Sequence, residues 1–365
     1  MRLLLLSNGH GEDAIGAALA PALQARGFTL DALPIVGEGH SYRKLGLPIV
    51  GPTQAMPSGG FVYGRPAALA GDMQHGLIGL TRAQIAAVRH GRWDGVVAIG
   101  DVVVLGFAWL SRAPFVFVGC AKSDYYTLGR PGSHLWHERL LMRHPRCAGV
   151  FARDAVTAAN LLKAGVDAYD LGNPMMDGLE PRGLSLPGSG HPIIALVPGS
   201  RPDEAVRNFQ LLASLVEGRV LAAIAPDLPL EAFQAPGVHV IPGGFADVAH
   251  ACDVAVAMAG TATEQLVGLG KPVISVAGAG PQFTAAFAEA QTRLLGPSIR
   301  CLPADAATVM AEIRSLLADK PRLELIAANG RERMGAPGAS QRIADGIAAR
   351  WLPSGSAATK RLHII

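Results

Sequence analysis

Glu264 lies in Ala255–Val276, AVAMAGTATEQLVGLGKPVISV, where residue types and spacing can do chemistry. An apolar run ends in the small-residue turn Ala259-Gly260-Thr261, and a helical segment follows with Glu264 in its first turn. Free backbone N–H groups and the positive end of a helix dipole favour phosphate there. A carboxylate one turn further on can accept both hydroxyls of a ribose. Phosphate donors beside a ribose clamp imply a nucleotide. The chain contains no G-x-x-x-x-G-K-[ST], which argues against a P-loop ATPase.

A second constellation precedes it. Gly199-Ser200-Arg201 follows the apolar run IIALVP. Small residues let the backbone approach a phosphate, and Arg201 can bridge two phosphate oxygens. An ordinary turn with a surface arginine would read the same in isolation; the pairing with Gly260–Glu264 favours a ligand. Gln282, after an Ala-Gly-Ala-Gly turn, can donate to and accept from sugar hydroxyls. Phe245, after Pro242-Gly243-Gly244, can lie against a base or belong to the core.

The N-terminal half carries a different set. Ser7-Asn8-Gly9-His10-Gly11-Glu12-Asp13 follows the first apolar run. Gly9 and Gly11 allow close approach of a ligand, Asn8 and Glu12 flank them, and His10 has a near-neutral intrinsic pKa. Asp101 ends the run VVAIG, where it can act as a base, orient His10 or cap the next helix. Lys122, Ser123 and Asp124, ahead of Tyr125-Tyr126, are polar residues placed to contact an acceptor. No D-x-D and no Cys/His cluster of metal-ligand spacing occurs, so no metal and no cofactor are expected.

These residues need a scaffold that brings loops together. Apolar runs at Leu3–Leu6, Leu30–Leu33, Val96–Ile99, Phe115–Val118 and Gly149–Ala152 alternate with helical patterns at Ala14–Ala25, Thr81–Arg89 and Ala155–Ala164. A second series follows at Ile193–Val197, Leu221–Ile224, Val238–Ile241, Val254–Met258 and Val273–Val276. Its helices are Glu204–Val216, Phe245–His250 and Thr263–Leu269. Such alternation predicts right-handed crossovers and parallel sheets covered by helices on both faces. The expected class is α/β, with two doubly wound domains facing a cleft and ligands beyond the strand C-termini. The N-terminal domain is expected over residues 1–180, and a Gly/Pro/Ser-rich linker over 181–192. The C-terminal domain is expected over 193–338, a helix returning to the N-terminal domain over 339–352, and a tail over 353–365.

Composition agrees with two cores. Of 365 residues, half are hydrophobic and 17% are charged, which excludes a disordered chain. The four cysteines are widely spaced and read as reduced, buried thiols of a cytoplasmic protein. The N-terminal run is too short for a signal peptide or membrane span and reads as a buried strand. Net charge is +3. Residues 1–185 hold 17 Lys+Arg against 14 Asp+Glu, while residues 186–365 hold 15 of each. No dense basic stripe marks a nucleic-acid partner. Met56–Arg92 mixes apolar residues with four arginines, and is expected either to lie on a membrane surface or to dock on the sheet.

The motifs, taken in order, resemble lipid-A-disaccharide synthase and the wider GT-B glycosyltransferases, especially a synthase-related group. SNGHGED followed by AIGAALAPAL resembles the synthase's first loop and helix, and AIGD its aspartate-bearing strand end. LGNPMMD, ALVPGSRPDE and AGTATEQ are similar to its hinge, its LPGSR-x-x-E and its S-G-T-A-x-x-E. The resemblance runs from about residue 3 to 345. The first loop departs from the synthase's G-E-x-S-G-D, and KSDYY and PQFTAAFAEAQ are features of the related group.

The resemblance implies two Rossmann-like domains and an inverting, metal-independent transferase with a UDP-sugar donor. It implies Glu264 on the ribose, Arg201 and Gly260-Thr261 on the diphosphate, Phe245 on the uracil and Gln282 on the donor sugar. The base is Asp101 by the synthase pattern, or His10 by that of the related peptidoglycan GlcNAc-transferase. The acceptor implied is a glycolipid or lipid precursor of the bacterial cell envelope, met at the inner face of the membrane through the N-terminal domain. Two alternatives stay open: a UDP-sugar 2-epimerase on the same fold, and a non-catalytic nucleotide-sugar-binding protein.

Overall fold

The computed structural model describes residues 1–54, 71–278 and 283–352. Two compact units emerge. The first comprises 1–124, 130–174 and the chain from 337 onward, and the second comprises 125–129 and 175–336.

The first unit is a six-stranded parallel sheet of order β2-β1-β3-β4-β5-β6. Its strands are β1 (Arg2–Ser7), β2 (Thr29–Pro34), β3 (Gly95–Gly100), β4 (Phe115–Gly119), β5 (Cys147–Ala152) and β6 (Ala168–Asp170). The runs LLLL, VVAI and FVFV are buried throughout, as a sheet covered on both faces requires. Alternation divides them: Leu4 and Leu6 enter one core cluster, Leu3 and Leu5 the other. The covering helices are α1 (His10–Gln24), α2 (His40–Lys44), α3 (Leu77–His90), α4 (Val102–Leu110), α5 (Trp136–Met142) and α6 (Ala155–Lys163).

The second unit has its own six-stranded parallel sheet, order β12-β11-β10-β7-β8-β9. The strands are β7 (Ile193–Val197), β8 (Arg219–Ile224), β9 (Val238–Pro242), β10 (Val254–Ala257), β11 (Val273–Val276) and β12 (Ile299–Leu302). Its helices are α7 (Pro202–Ala213), α8 (Phe245–Ala251), α9 (Thr261–Gly268), α10 (Ala285–Leu295), α11 (Ala306–Ala318) and α12 (Lys320–Met334). In α7, Ala205, Phe209 and Leu212 recur at helical spacing and all enter the core. The last helix, α13 (Ala339–Trp351), packs on α1 in the first unit and places Ile343, Ala344 and Ile347 in its core.

The two α/β units match the expected class, and each sheet gains one edge strand. β6 has only three residues, and β12 exposes Arg300 and Cys301, so neither makes an apolar run. The Glu180–Pro192 segment belongs to the second unit. The Arg219 guanidinium donates to the carbonyls of Leu186, Pro187 and Gly190, and Leu184 N donates to Asp247. All four cysteines are free; Cys120 and Cys252 are buried, but Cys301 is exposed on the edge strand. Within Met56–Arg92, α3 docks on the sheet through Leu80, Gln84 and Val88 and leaves Arg82 and Arg89 in solvent. Among the described residues, no helix is long and apolar enough to cross a membrane.

Candidate active site

In the second unit, strand order reverses between β7 and β10, which are direct neighbours. Connections leaving two such strands diverge, opening a crevice beyond their C-terminal ends. Gly199-Ser200-Arg201 leaves β7 to start α7, and Ala259-Gly260 leaves β10 to start α9. The two turns meet. Gly199 has φ +100°, and a Cβ there would stand 3.2 Å from the carbonyl oxygen of Met258. The left-handed conformation favours glycine, and a Cβ would need the Met258 carbonyl to yield by a few tenths of an ångström.

Side chains fix both turns from below. Asn208 Nδ2 donates to the carbonyls of Pro198 (2.9 Å) and Met258 (3.4 Å). Gln291 Nε2 donates to Ala259 (3.0 Å) and Gly260 (3.4 Å), and Thr263 Oγ1 donates to Ala259 (2.7 Å). Glu264 is buried in the first turn of α9, Thr261 is exposed, and Arg201 is half-buried at the α7 N-cap. Phe245 opens α8 after β9, two strands beyond β7, or about 10 Å at normal strand spacing. Gln282 lies outside the described residues. Phe283 beside it is buried, and its N–H donates to Glu204 Oε1 at 2.7 Å. Asn208 and Gln291 escaped the sequence reading, because only packing shows which polar side chains turn inward. Glu204 stood in ALVPGSRPDE but without a role.

In the first unit the reversal lies between β1 and β3. Asn8, Gly9, His10, Gly11 and Glu12 leave β1, and Asp101 leaves β3. Asn8 Nδ2 donates to Asp101 Oδ2 at 3.0 Å, while Asp101 Oδ1 caps α4 by accepting from Val103 N at 2.9 Å. Burial raises the Asp101 carboxyl above its usual range, opposed by these hydrogen bonds. Glu12 stands against Gly100, which has φ +130° and where a Cβ would come within 3.0 Å of Glu12 Cγ. Burial pushes Glu12 up to about 7, and the negative charges of Asp101 and Asp13 add to it. His10 is exposed and faces Gly37.

Below this loop runs a buried chain, Tyr42 Oη to Ser7 Oγ (2.9 Å) to Asp13 Oδ1 (2.6 Å). Burial raises Asp13 to about 6, with the Ser7 bond acting in the opposite direction.

Lys122 follows the next strand, β4, and pairs with Glu138 at 2.7 Å. Ser123 is buried. The Asp124 carboxylate accepts from Ser133 N (2.9 Å), Gly132 N (3.3 Å) and Asn160 Nδ2 (2.8 Å), so it braces its loop. The fold thus gathers Asn8, Gly9, His10, Gly11, Glu12 and Asp101 at one switch point, and Gly199, Ser200, Arg201, Gly260, Thr261 and Glu264 at the other. Among the described residues, no group of three His, Cys, Asp or Glu side chains is placed to hold a metal.

No protein-family model matches the chain, and no curated protein matches it in sequence. Solved structures do match in fold. The calicheamicin glycosyltransferase CalG4 aligns at TM-score 0.63 and 17% identity over 98% of this chain and 99% of its own. The UDP-GlcNAc 2-epimerase of Neisseria meningitidis, solved with UDP-GlcNAc bound, aligns at 0.56 and 14% over 96% and 100%. MurG of Acinetobacter baumannii aligns at 0.56 and 14% over 95% and 99%. The fold is GT-B, two Rossmann-like units each with a parallel six-stranded sheet.

Proposed function

We propose that the chain is an inverting glycosyltransferase that moves a hexose or N-acetylhexosamine from a UDP-sugar to an acceptor hydroxyl. The observation that carries this reading is the meeting of Gly199-Ser200-Arg201 and Ala259-Gly260-Thr261 at the β7/β10 reversal, with Glu264 buried one turn behind. The diphosphate rests on the N-terminal ends of α7 and α9 and on Arg201. Glu264 takes the ribose hydroxyls, Phe245 the uracil and Gln282 the sugar.

In the reaction, the acceptor oxygen attacks the anomeric carbon as the bond from that carbon to the β-phosphate oxygen breaks. UDP leaves with the electron pair, and the acceptor proton passes to a carboxylate. Of the three candidates at the first switch point, we assign the proton to Glu12. Both Asp101 oxygens already accept hydrogen bonds, which suits Asp101 to holding Asn8 and the α4 start. Charge on the departing UDP spreads onto helix-end N–H groups and Arg201, so the reading includes no metal. A glycolipid or lipid precursor is the acceptor we favour.

Glu264→Ala tests the donor half. Losing a bidentate charged contact weakens UDP binding by about 10- to 100-fold, read by calorimetry; unchanged affinity would overturn the ribose assignment. EDTA is expected to leave transfer unchanged, and a loss restored by added magnesium would refute metal independence.

A second reading is favoured by the fold shared with the Neisseria epimerase over nearly its whole length. An epimerase would convert UDP-GlcNAc with no acceptor present. NMR of UDP-GlcNAc incubated with the protein alone separates the two, since a new UDP-linked sugar belongs only to epimerisation, whereas hydrolysis by a transferase releases free sugar.

A further inference from the structure

At the end of the second sheet opposite the nucleotide turns, a cavity of about 730 Å³ opens between α11 and the chain entering β7 and β8. Small-molecule sites run from about 300 to 1,000 Å³. One wall is a helical stripe, because Met310, Ile313, Arg314 and Leu317 fall at i, i+3, i+4 and i+7 of α11. Ile313 is buried. Met310 and Leu317 are half-buried at the edge of the core and present apolar surface to the cavity. The facing wall is largely backbone, Ser189-Gly190 before β7 and Glu217-Gly218 before β8. A Cβ at Gly190 or Gly218 would meet no heavy atom within 4 Å, so space lies beside both.

The cavity also carries unmatched positive charge. Arg219 is half-buried, and its guanidinium donates to the carbonyls of Leu186, Pro187 and Gly190 at 3.2–3.3 Å. Those carbonyls hold the cation in place without cancelling its charge, and the guanidinium has N–H groups to spare. Arg314 is exposed. Among the described residues, no carboxylate pairs with either arginine. His191 also borders the cavity, but its Nδ1 faces the Asp253 carboxylate at 2.9 Å. Glu217 is the one carboxylate of the lining, so two guanidinium groups stand against one acid.

We infer that this cavity binds an apolar small molecule bearing a carboxylate, at a site separate from the nucleotide turns. The apolar body lies on Met310 and Leu317, and the carboxylate takes the Arg219 and Arg314 forks. The five residues of β7 stand between the two places, roughly 15 Å of strand. Ligands at its two ends therefore do not compete. The inference does not depend on the transferase reading.

The test is calorimetry of the full chain with 2-naphthoate, and with 2-naphthalenemethanol as its uncharged counterpart. Naphthoate is expected to bind at one site, at least about tenfold more tightly than the alcohol. Arg314→Gln should weaken naphthoate about tenfold and leave the alcohol unmoved. Ala318→Trp, at an exposed position of the lining, should abolish binding by filling the space. An unchanged melting temperature in both variants shows that they fold. Saturating UDP should leave the naphthoate affinity as it was. No heat of binding up to the solubility limit, equal affinity for acid and alcohol, or variants that bind as the parent does would overturn the inference. So would displacement of naphthoate by UDP, because the probe would then sit in the nucleotide crevice. A dimer that Ala318→Trp dissociates would overturn it too, since a second copy would then cover the cavity. Loss of UDP binding with naphthoate binding intact strikes the transferase reading alone.

Discussion

At the scale of the residue, Glu12 is the side chain whose charge state the fold changes most usefully. Its carboxyl is raised from the ordinary value of 4.5 to about 7. Between those values the folded chain keeps a proton that the unfolded chain releases, so stability falls as pH rises through this window. Glu12→Gln, always neutral, should therefore raise the melting temperature at pH 8 and leave it nearly unchanged at pH 4. If Glu12 is the base, kcat/KM of the parent rises through about pH 7, and the glutamine variant loses about 100-fold or more of its turnover. Should Asp101→Asn or His10→Ala abolish transfer while Glu12→Gln retains it, the role passes to that residue. The sequence offered Asp101 and His10 as the base and placed Glu12 only among the acceptor-side residues. What it lacked was the information that Asn8 and Val103 occupy the Asp101 oxygens while Glu12 is left against Gly100.

At the scale of the element, the donor turns depend on two strands being adjacent. Gly199 accepts φ +100° and the approach of the Met258 carbonyl, and a Cβ is strained by the first and crowded by the second. Gly199→Ala should cost about 1–3 kcal/mol of stability, seen as a lower melting temperature, and should weaken UDP binding in calorimetry. Full affinity would show that the β7 turn does not touch the nucleotide. The strand–turn–helix order of both motifs was legible from apolar runs ending in Gly, Ser and Thr. Their adjacency was not, because 57 positions of chain, including β8 and β9, lie between Gly199 and Ala257, and pairing across them is a tertiary event. The short β6 and β12 were missed because edge strands bury too little to require an apolar run.

At the scale of the molecule, the chain lends 125–129 to the second unit, leaves the first at Pro174 to build the rest of the second, and returns at Pro337. Helix α13 then completes the first unit. Ile343 and Ile347 enter its core, Arg26 pairs with Asp345 at 2.7 Å, and the Arg350 guanidinium lies 4.5 Å from the Tyr169 ring centre. A chain ending at residue 336 should lose about 3–6 kcal/mol from the first unit, because the burial of two isoleucines is lost with α13 and the core they cover is opened to water. Calorimetry should show its transition at lower temperature, with the UDP-dependent rise of the second unit preserved. An unmoved first transition would mean that α13 adds nothing to that core.

By itself the sequence determined the α/β class, most strands and the residues that stand at their ends, because parallel strands buried on both faces must be written as continuous apolar runs. It also carried the glycine and serine turns that a phosphate-binding helix end needs. Only the tertiary structure decided which ends are neighbours. Strand order is set by long-range pairing, and it brings Asn8 to Asp101 and Gly199 to Met258. Burial, a property of the assembled core, raised Glu12 toward neutrality.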